Sequence, residues 1–128
     1  MGYRGNTTPA ASVVGTGTAG SPQVLTAADT GKVFTNTGAG AKMYFTLPPA
    51  AVDLQFTFVV SNANGIRVVA AAAGAGNSAN DNVQAGTVAG KSAGYVESTV
   101  VGSVIRLRAV DATVWIVEDF VGTWTVET

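Results

Sequence analysis

Apolar and polar residues alternate along most of this chain with the two-residue period of a half-buried β-strand. The clearest case is DLQFTFVV. There Leu54, Phe56, Phe58 and Val60 fall on one face, while Asp53, Gln55, Thr57 and Val59 fall on the other. The first face reads as core. SNANG at 61–65 follows as a turn, because Asn64-Gly65 tolerates positive φ, and IRVVA reads as its hairpin partner. Near the C-terminus, VIRLRAV, TVWIVED and TWTVE read as a meander turned at Asp111-Ala112 and Val121-Gly122. The pattern places strands at 32–36, 42–47, 53–61, 65–71, 95–101, 103–110, 113–119 and 123–127. No segment holds a 3.6-residue period, so almost no helix is expected.

One short stretch, VLTAADTGKVF at 24–34, carries a helix start and a helix stop almost back to back. Thr26 and Asp29 fit the capping box, and Gly31 suits the left-handed conformation that ends a helix. Too few residues lie between them for a stable helix, so the stretch predicts a single tight corner. Residues 1–22 are rich in Gly, Thr, Ala and Ser, with Pro9 and Pro22 as breakers, and read as an extended N-terminal arm. Residues 23–128 then form one all-β domain, a small antiparallel β-sandwich or barrel-like fold. The small-residue tract at 70–94 reads as a long loop, either flexible or packed around an oligomer axis.

Composition changes the picture in one direction. Charged residues make up only 12% of the chain and hydrophobic ones 47%. An average soluble domain has about 25% charged residues. So sparse a charge leaves a surface that is neutral and polar or covered by another chain, and burial against partner subunits is the expectation. Mean hydropathy is +0.31, yet no apolar run approaches the length of a helical membrane span. A net charge of −1 gives no electrostatic footprint for nucleic acid. Cysteine and histidine are both absent, which removes thiolate and imidazole chemistry. The start, MGYRGNTTPA, lacks the apolar core of a signal peptide. This composition argues against an enzyme, and no cofactor, metal or membrane partner is expected.

Several motif matches are cheap in such a sequence. Gly15, Gly17 and Gly20 spell G-x-G-x-x-G, but Pro22 follows and no βαβ pattern surrounds them. AGTVAGKS at 85–92 approximates a phosphate loop, but YVESTVV follows it as a strand where phosphate binding needs a helix N-terminus. NSANDN around Asp81 reads as a solvated polar turn. Glu118 and Asp119 are adjacent, so a regular strand turns them to opposite faces, away from paired acid–base duty. Arg106 and Arg108 share one face of their strand. They are candidates for an interface, against the plainer reading of cross-strand pairing with Glu97, Glu118 or Asp119. Trp115 and Trp124 read as core or interface anchors.

The order LTAADTGKVFTNTGA, LPPA, QFTFVVSNANGIRVVAA and SVIRLRAVDATVWIVEDFVGTW resembles short structural proteins of tailed phages. Related modules occur as capsid decoration (cement) proteins and within tail fibres. The resemblance runs over roughly residues 24–125. Such modules commonly carry Gly before the Phe-rich strand, where this chain has Asp53, and a Gly-Asp-x-Ile turn after IRVVAA that this chain lacks. The resemblance implies a homotrimer on the virion's capsid surface, bound to the major capsid protein and stabilising capsomer junctions. Candidate docking residues in the arm are then Tyr3, Arg4, Val13 and Val14. The alternative it implies is a tail-fibre or head-fibre module that binds host-surface glycans.

Overall fold

Short runs of β-branched and aromatic residues, broken by Gly, Pro and Asn, fold into two packed sheets. The computed structural model describes residues 12–74 and 76–128. In chain order the strands are β1 (Ser12–Val14), β2 (Gln23–Val24), β3 (Val33–Thr35), β4 (Met43–Thr46), β5 (Gln55–Val59) and β6 (Ile66–Val69). They continue as β7 (Asn82–Ala85), β8 (Val88–Ala89), β9 (Tyr95–Ser98), β10 (Val104–Ala109), β11 (Val114–Val121) and β12 (Thr125–Val126). One sheet has seven strands in the order β1-β3-β5-β10-β11-β7-β8, and the other has five in the order β12-β9-β6-β4-β2. The fold is an all-β sandwich.

Strand direction is mixed rather than antiparallel throughout. The first six strands alternate between the sheets, and β1, β2, β3 and β4 each pair in parallel with the strand two places on. Register partners lie 21 to 24 residues apart: Ser12 with Val33, Val33 with Thr57, Gln23 with Phe45, Met43 with Ile66. The N-terminal half is therefore a three-turn parallel coil. The C-terminal half closes it, with β10 and β11 extending one sheet and β9 and β12 the other, all antiparallel. The parallel contact of β7 with β11 completes the seven-stranded sheet together with β8.

This winding corrects the expected hairpin at 61–65. Strands β5 and β6 belong to different sheets, so SNANG is an arch between layers. Asn36, wholly buried one residue after β3, holds that arch. Its Nδ2 donates to the carbonyls of Asn62 (2.9 Å) and Gly65 (3.1 Å), and its Oδ1 accepts from the N–H groups of Ser61 (2.8 Å) and Asn62 (3.0 Å). A side chain from one turn of the coil thus shapes the connection of the next. The expected meander is corrected likewise: β10 and β11 pair, but β12 crosses to the five-stranded sheet.

The expected corner at 24–34 is a single 3-10 turn, Ala27–Asp29. Asp29 accepts from the Thr26 N–H at 3.0 Å, and Gly31 follows at φ +86°. Leu25 before it and Phe34 after it are both buried, so the corner turns the chain from one sheet to the other.

The core lies between the sheets. The rings of Phe34, Phe45 and Phe58 cluster with centroids 5.1 to 5.8 Å apart, and Phe56 packs against Trp115 at 5.7 Å. Leu25, Leu47 and Ala70 follow Val24, Thr46 and Val69 in the register of the five-stranded sheet, and all three are buried. The 70–94 tract is built into this body: it supplies β7, β8 and the buried side chain of Val83. Small residues there hide the strand signal because they give no strong alternation.

Candidate interaction surface

The chemistry-bearing residues gather on the outward face of the seven-stranded sheet. Because side chains alternate, Phe56, Phe58, Ile105 and Leu107 point inward while Thr57, Val59, Arg106 and Arg108 point outward. A β-bulge on β11 then breaks the alternation: Arg106 pairs in register with Asp119, but Leu107 pairs with Val117. Glu118 is the extra residue. The expectation that Glu118 and Asp119 point to opposite faces is overturned, since both reach Arg106 from the same side.

Glu118 is the hub. Arg106 Nε lies 3.0 Å from its Oε1, Arg108 Nε donates to its Oε2, and Gln55 Nε2 donates to Oε1 at 2.6 Å. The Arg108 hydrogen bond, more than any other contact, holds the Glu118 carboxyl below its ordinary value and pushes the Arg108 guanidinium up. The outer contacts are longer: Arg106 Nη2 to Asp119 Oδ2 is 3.8 Å, and Arg108 Nη1 to Asp53 Oδ1 is 3.6 Å. Glu118 is engaged by both arginines, while Asp119 and Asp53 stay largely exposed at the margins of the cluster.

The sequence candidates divide across the fold. Val14 reaches the same outward face as Arg106 and Arg108, from the edge strand β1. Val13 points the other way and, partly buried, packs against the core. The whole of 1–22 was expected to form an arm, yet from Ser12 onward the chain is part of the domain through the β1–β3 pairing. Tyr3 and Arg4 lie outside the described residues. Trp115 is fully buried, which removes it from any interface. Trp124 is half-buried, its Nε1 donating to the Val104 carbonyl at 3.0 Å, so it ties the C-terminal segment to β10.

Two glycines of the G-x-G-x-x-G string have packing roles. A Cβ on Gly15 would stand 2.2 Å from Met43 Sδ and 2.4 Å from Phe45 Cζ. One on Gly17 would stand 1.8 Å from the Tyr44 carbonyl oxygen. Lys91 of the phosphate-loop match lies 3.4 Å from Glu127 and leads into β9.

The solvated turn expected around Asp81 is also corrected. Asp81 is fully buried: Oδ2 accepts from the Ala50 N–H at 2.8 Å, and Oδ1 accepts from Asn77 Nδ2 at 3.2 Å. It pins the LPPA segment to the 71–81 loop. Among the described residues, no group of three His, Cys, Asp or Glu side chains is placed to hold a metal ion.

A second cluster, on the outward face of the five-stranded sheet, escaped the sequence reading. Arg67 lies 3.8 Å from the centroid of the Tyr95 ring and 5.5 Å from that of Tyr44. Glu97 accepts from Arg67 Nε at 2.7 Å and from Lys42 Nζ at 2.9 Å. Its signal was the outward register row Tyr44–Arg67–Glu97, which becomes visible only once β4, β6 and β9 are known to be neighbours.

Neither protein-family models nor curated protein sequences give a match to this chain.

Proposed function

We propose that this chain is a virion structural protein of a tailed phage, a capsid decoration protein that binds the assembled shell as a homotrimer and stabilises capsomer junctions. The observation that carries this reading is the outward face of the seven-stranded sheet, where aliphatic side chains from β1, β5, β10 and β11 lie beside arginine–carboxylate pairs. A broad face of aliphatic and paired ionic groups suits contact with another protein surface. The likeness of residues 24–125 to tailed-phage structural proteins supplies the virion context. In this reading the protein is non-catalytic, takes no cofactor and sits on the capsid surface with the major capsid protein as partner.

The physical mechanism is linkage. A protein that binds only the assembled shell stabilises that shell by mass action, without doing chemistry on it. A paired, hydrogen-bonded sandwich loses little conformational entropy on docking, so more of the contact energy remains as affinity. Strand β1 is an edge of the seven-stranded sheet, where an extended segment of a shell subunit can pair by strand addition.

A glycan-binding tail or head fibre is the second reading, and the observation favouring it is the Tyr44–Arg67–Tyr95 cluster. Arg67 already covers a face of the Tyr95 ring, which weakens it as a sugar platform. Imaging purified virions separates the two readings. Density for this chain at three-fold or quasi-three-fold positions of the capsid is the expected result, and confinement to the tail overturns the decoration reading.

A further inference from the structure

Five outward side chains from five adjacent strands fall in one register row: Val14, Thr35, Val59, Val104 and Val121. With strands about 4.8 Å apart, the row crosses roughly 19 Å of sheet. Its two ends are open to solvent, with Val14 53% and Val121 59% exposed. The matching row of the five-stranded sheet, Val24–Thr46–Val69–Tyr95, is different, since Arg67 covers its tyrosine. Its half-buried middle and solvent-open aliphatic ends mark the row from Val14 to Val121 as a surface on which another chain can pack.

The neighbouring row says what kind of chain fits. It carries Arg106 beside Asp119, a long 3.8 Å contact in which Asp119 is 67% exposed. Both signs of charge are therefore presented together, and a partner of single-sign charge would leave one of them opposed by its like. A second copy of this chain brings both signs, and a net charge of −1 gives copies little reason to repel. A row that crosses the sheet can also lie along a rotation axis, where valines meet valines whatever the number of copies. The whole seven-stranded face projects on the order of 600 Å², near the ~800 Å² per partner of a standard interface.

We propose that copies of this chain associate through the outward face of the seven-stranded sheet, centred on the row from Val14 to Val121. This deepens the homotrimer part of the function proposed above, and rests on it.

The test is the solution mass of the full chain over a concentration series, by sedimentation equilibrium. One variant carries Val14→Lys with Val121→Lys. A control carries Val24→Lys with Val52→Lys, two exposed valines outside the row, the first on the five-stranded sheet. The wild type is expected to be oligomeric and the control unchanged. The row variant should dissociate at concentrations at least about tenfold higher than the wild type, because association would bury unpaired ammonium groups. All four positions are exposed, and matching thermal unfolding of row and control variants checks that the fold is kept. A monomeric wild type, or a row variant that associates as tightly as the control, overturns the proposal. So does a monomer whose shell binding is lost in the row variant, which would assign the face to the shell protein. An oligomer dissolved only by the row variant supports the proposal even where no shell binding is found, and in that case the decoration reading alone fails.

Discussion

Glu118 and Asp119, consecutive in the chain, point to the same side of their strand and both reach Arg106. A bulge at this point of β11 makes this possible, and it gathers two arginines and two carboxylates into one layer of side chains. On the opposite face of the sandwich, Glu97 plays a comparable part with Arg67 and Lys42. Each outer surface is thus organised around one glutamate that accepts from two cations.

Those two glutamates make stability acid-sensitive. Burial alone would raise the Glu97 carboxyl, but hydrogen bonds from Arg67 and Lys42 outweigh it and hold the group below the ordinary 4.5. Glu118 is lowered chiefly by Arg108. A depressed folded-state value contributes stability that is complete above the unfolded value and fades as pH falls through the folded one. Unfolding midpoints should therefore be flat near neutrality and drop below about pH 4.5. Glu97→Gln should unfold more easily at pH 7 and show a shallower acid slope, as read by urea titration across the pH series.

The strands most legible in the sequence are those with large alternating side chains, above all β5 with its Phe56 and Phe58. What stayed hidden is how strands are joined. Asn64-Gly65 carries the same positive-φ signal in a hairpin and in an arch, and Gly65 does adopt φ +88°. The deciding group is Asn36, more than twenty residues away, whose polarity in KVFTN looks like a surface residue. Likewise β1, β2 and β8 are too short for periodicity to register, and they hold by pairing with β3, β4 and β7. The bulge at Glu118 leaves no mark in the alternation of TVWIVED, so the candidate face was legible only through its arginines.

Asn36→Ala tests the arch directly. The substitution leaves the N–H groups of Ser61 and Asn62 and the carbonyl of Gly65 without their partner inside the domain. Orphaning a buried polar group costs about 1–3 kcal/mol, and part of this cluster can recruit water, so a loss of about 3 kcal/mol is expected. Chemical denaturation measures it. Asn36→Asp should not recover the loss, because an anionic oxygen would replace Nδ2 and face the Asn62 and Gly65 carbonyls in a buried site. A loss below about 0.5 kcal/mol, typical of surface substitutions, would mean that the arch holds itself.

Gly17→Ala should be the more damaging of the two glycine changes in the G-x-G-x-x-G string. Its added methyl meets the Tyr44 carbonyl, part of the β4 backbone, which cannot move without disturbing the five-stranded sheet. At Gly15 the first atom met is the flexible Met43 thioether, although Phe45 stands close behind it. Overpacking of this kind costs about 1–3 kcal/mol, with Gly17→Ala expected at the upper end. Thermal unfolding of both variants gives the order, and the reverse order would show that the phenylalanine cluster yields less than the backbone does.

Among the described residues, two other than glycine occupy the left-handed region, Asp53 at φ +72° and Ala93 at φ +55°. A Cβ in that region crowds the following carbonyl at a cost of roughly 1–2 kcal/mol, less for Asp than for Ala. The Asp53 backbone N–H bonds the Ala109 carbonyl at 2.9 Å, which fixes its conformation. The Ala93 N–H bonds the Asp81 carbonyl at 2.7 Å and is fixed in the same way. Glycine relieves the strain at either site but gains entropy in the unfolded chain, which offsets part of the benefit. Ala93→Gly should therefore stabilise by up to about 1 kcal/mol. Asp53→Gly should be closer to neutral, because it also gives up the 3.6 Å contact with Arg108. Melting temperatures of the single and double variants check both, and the effects should add because the two sites share no hydrogen-bond partner. A destabilised Ala93→Gly variant would mean that its methyl contributes more by packing than it costs in strain.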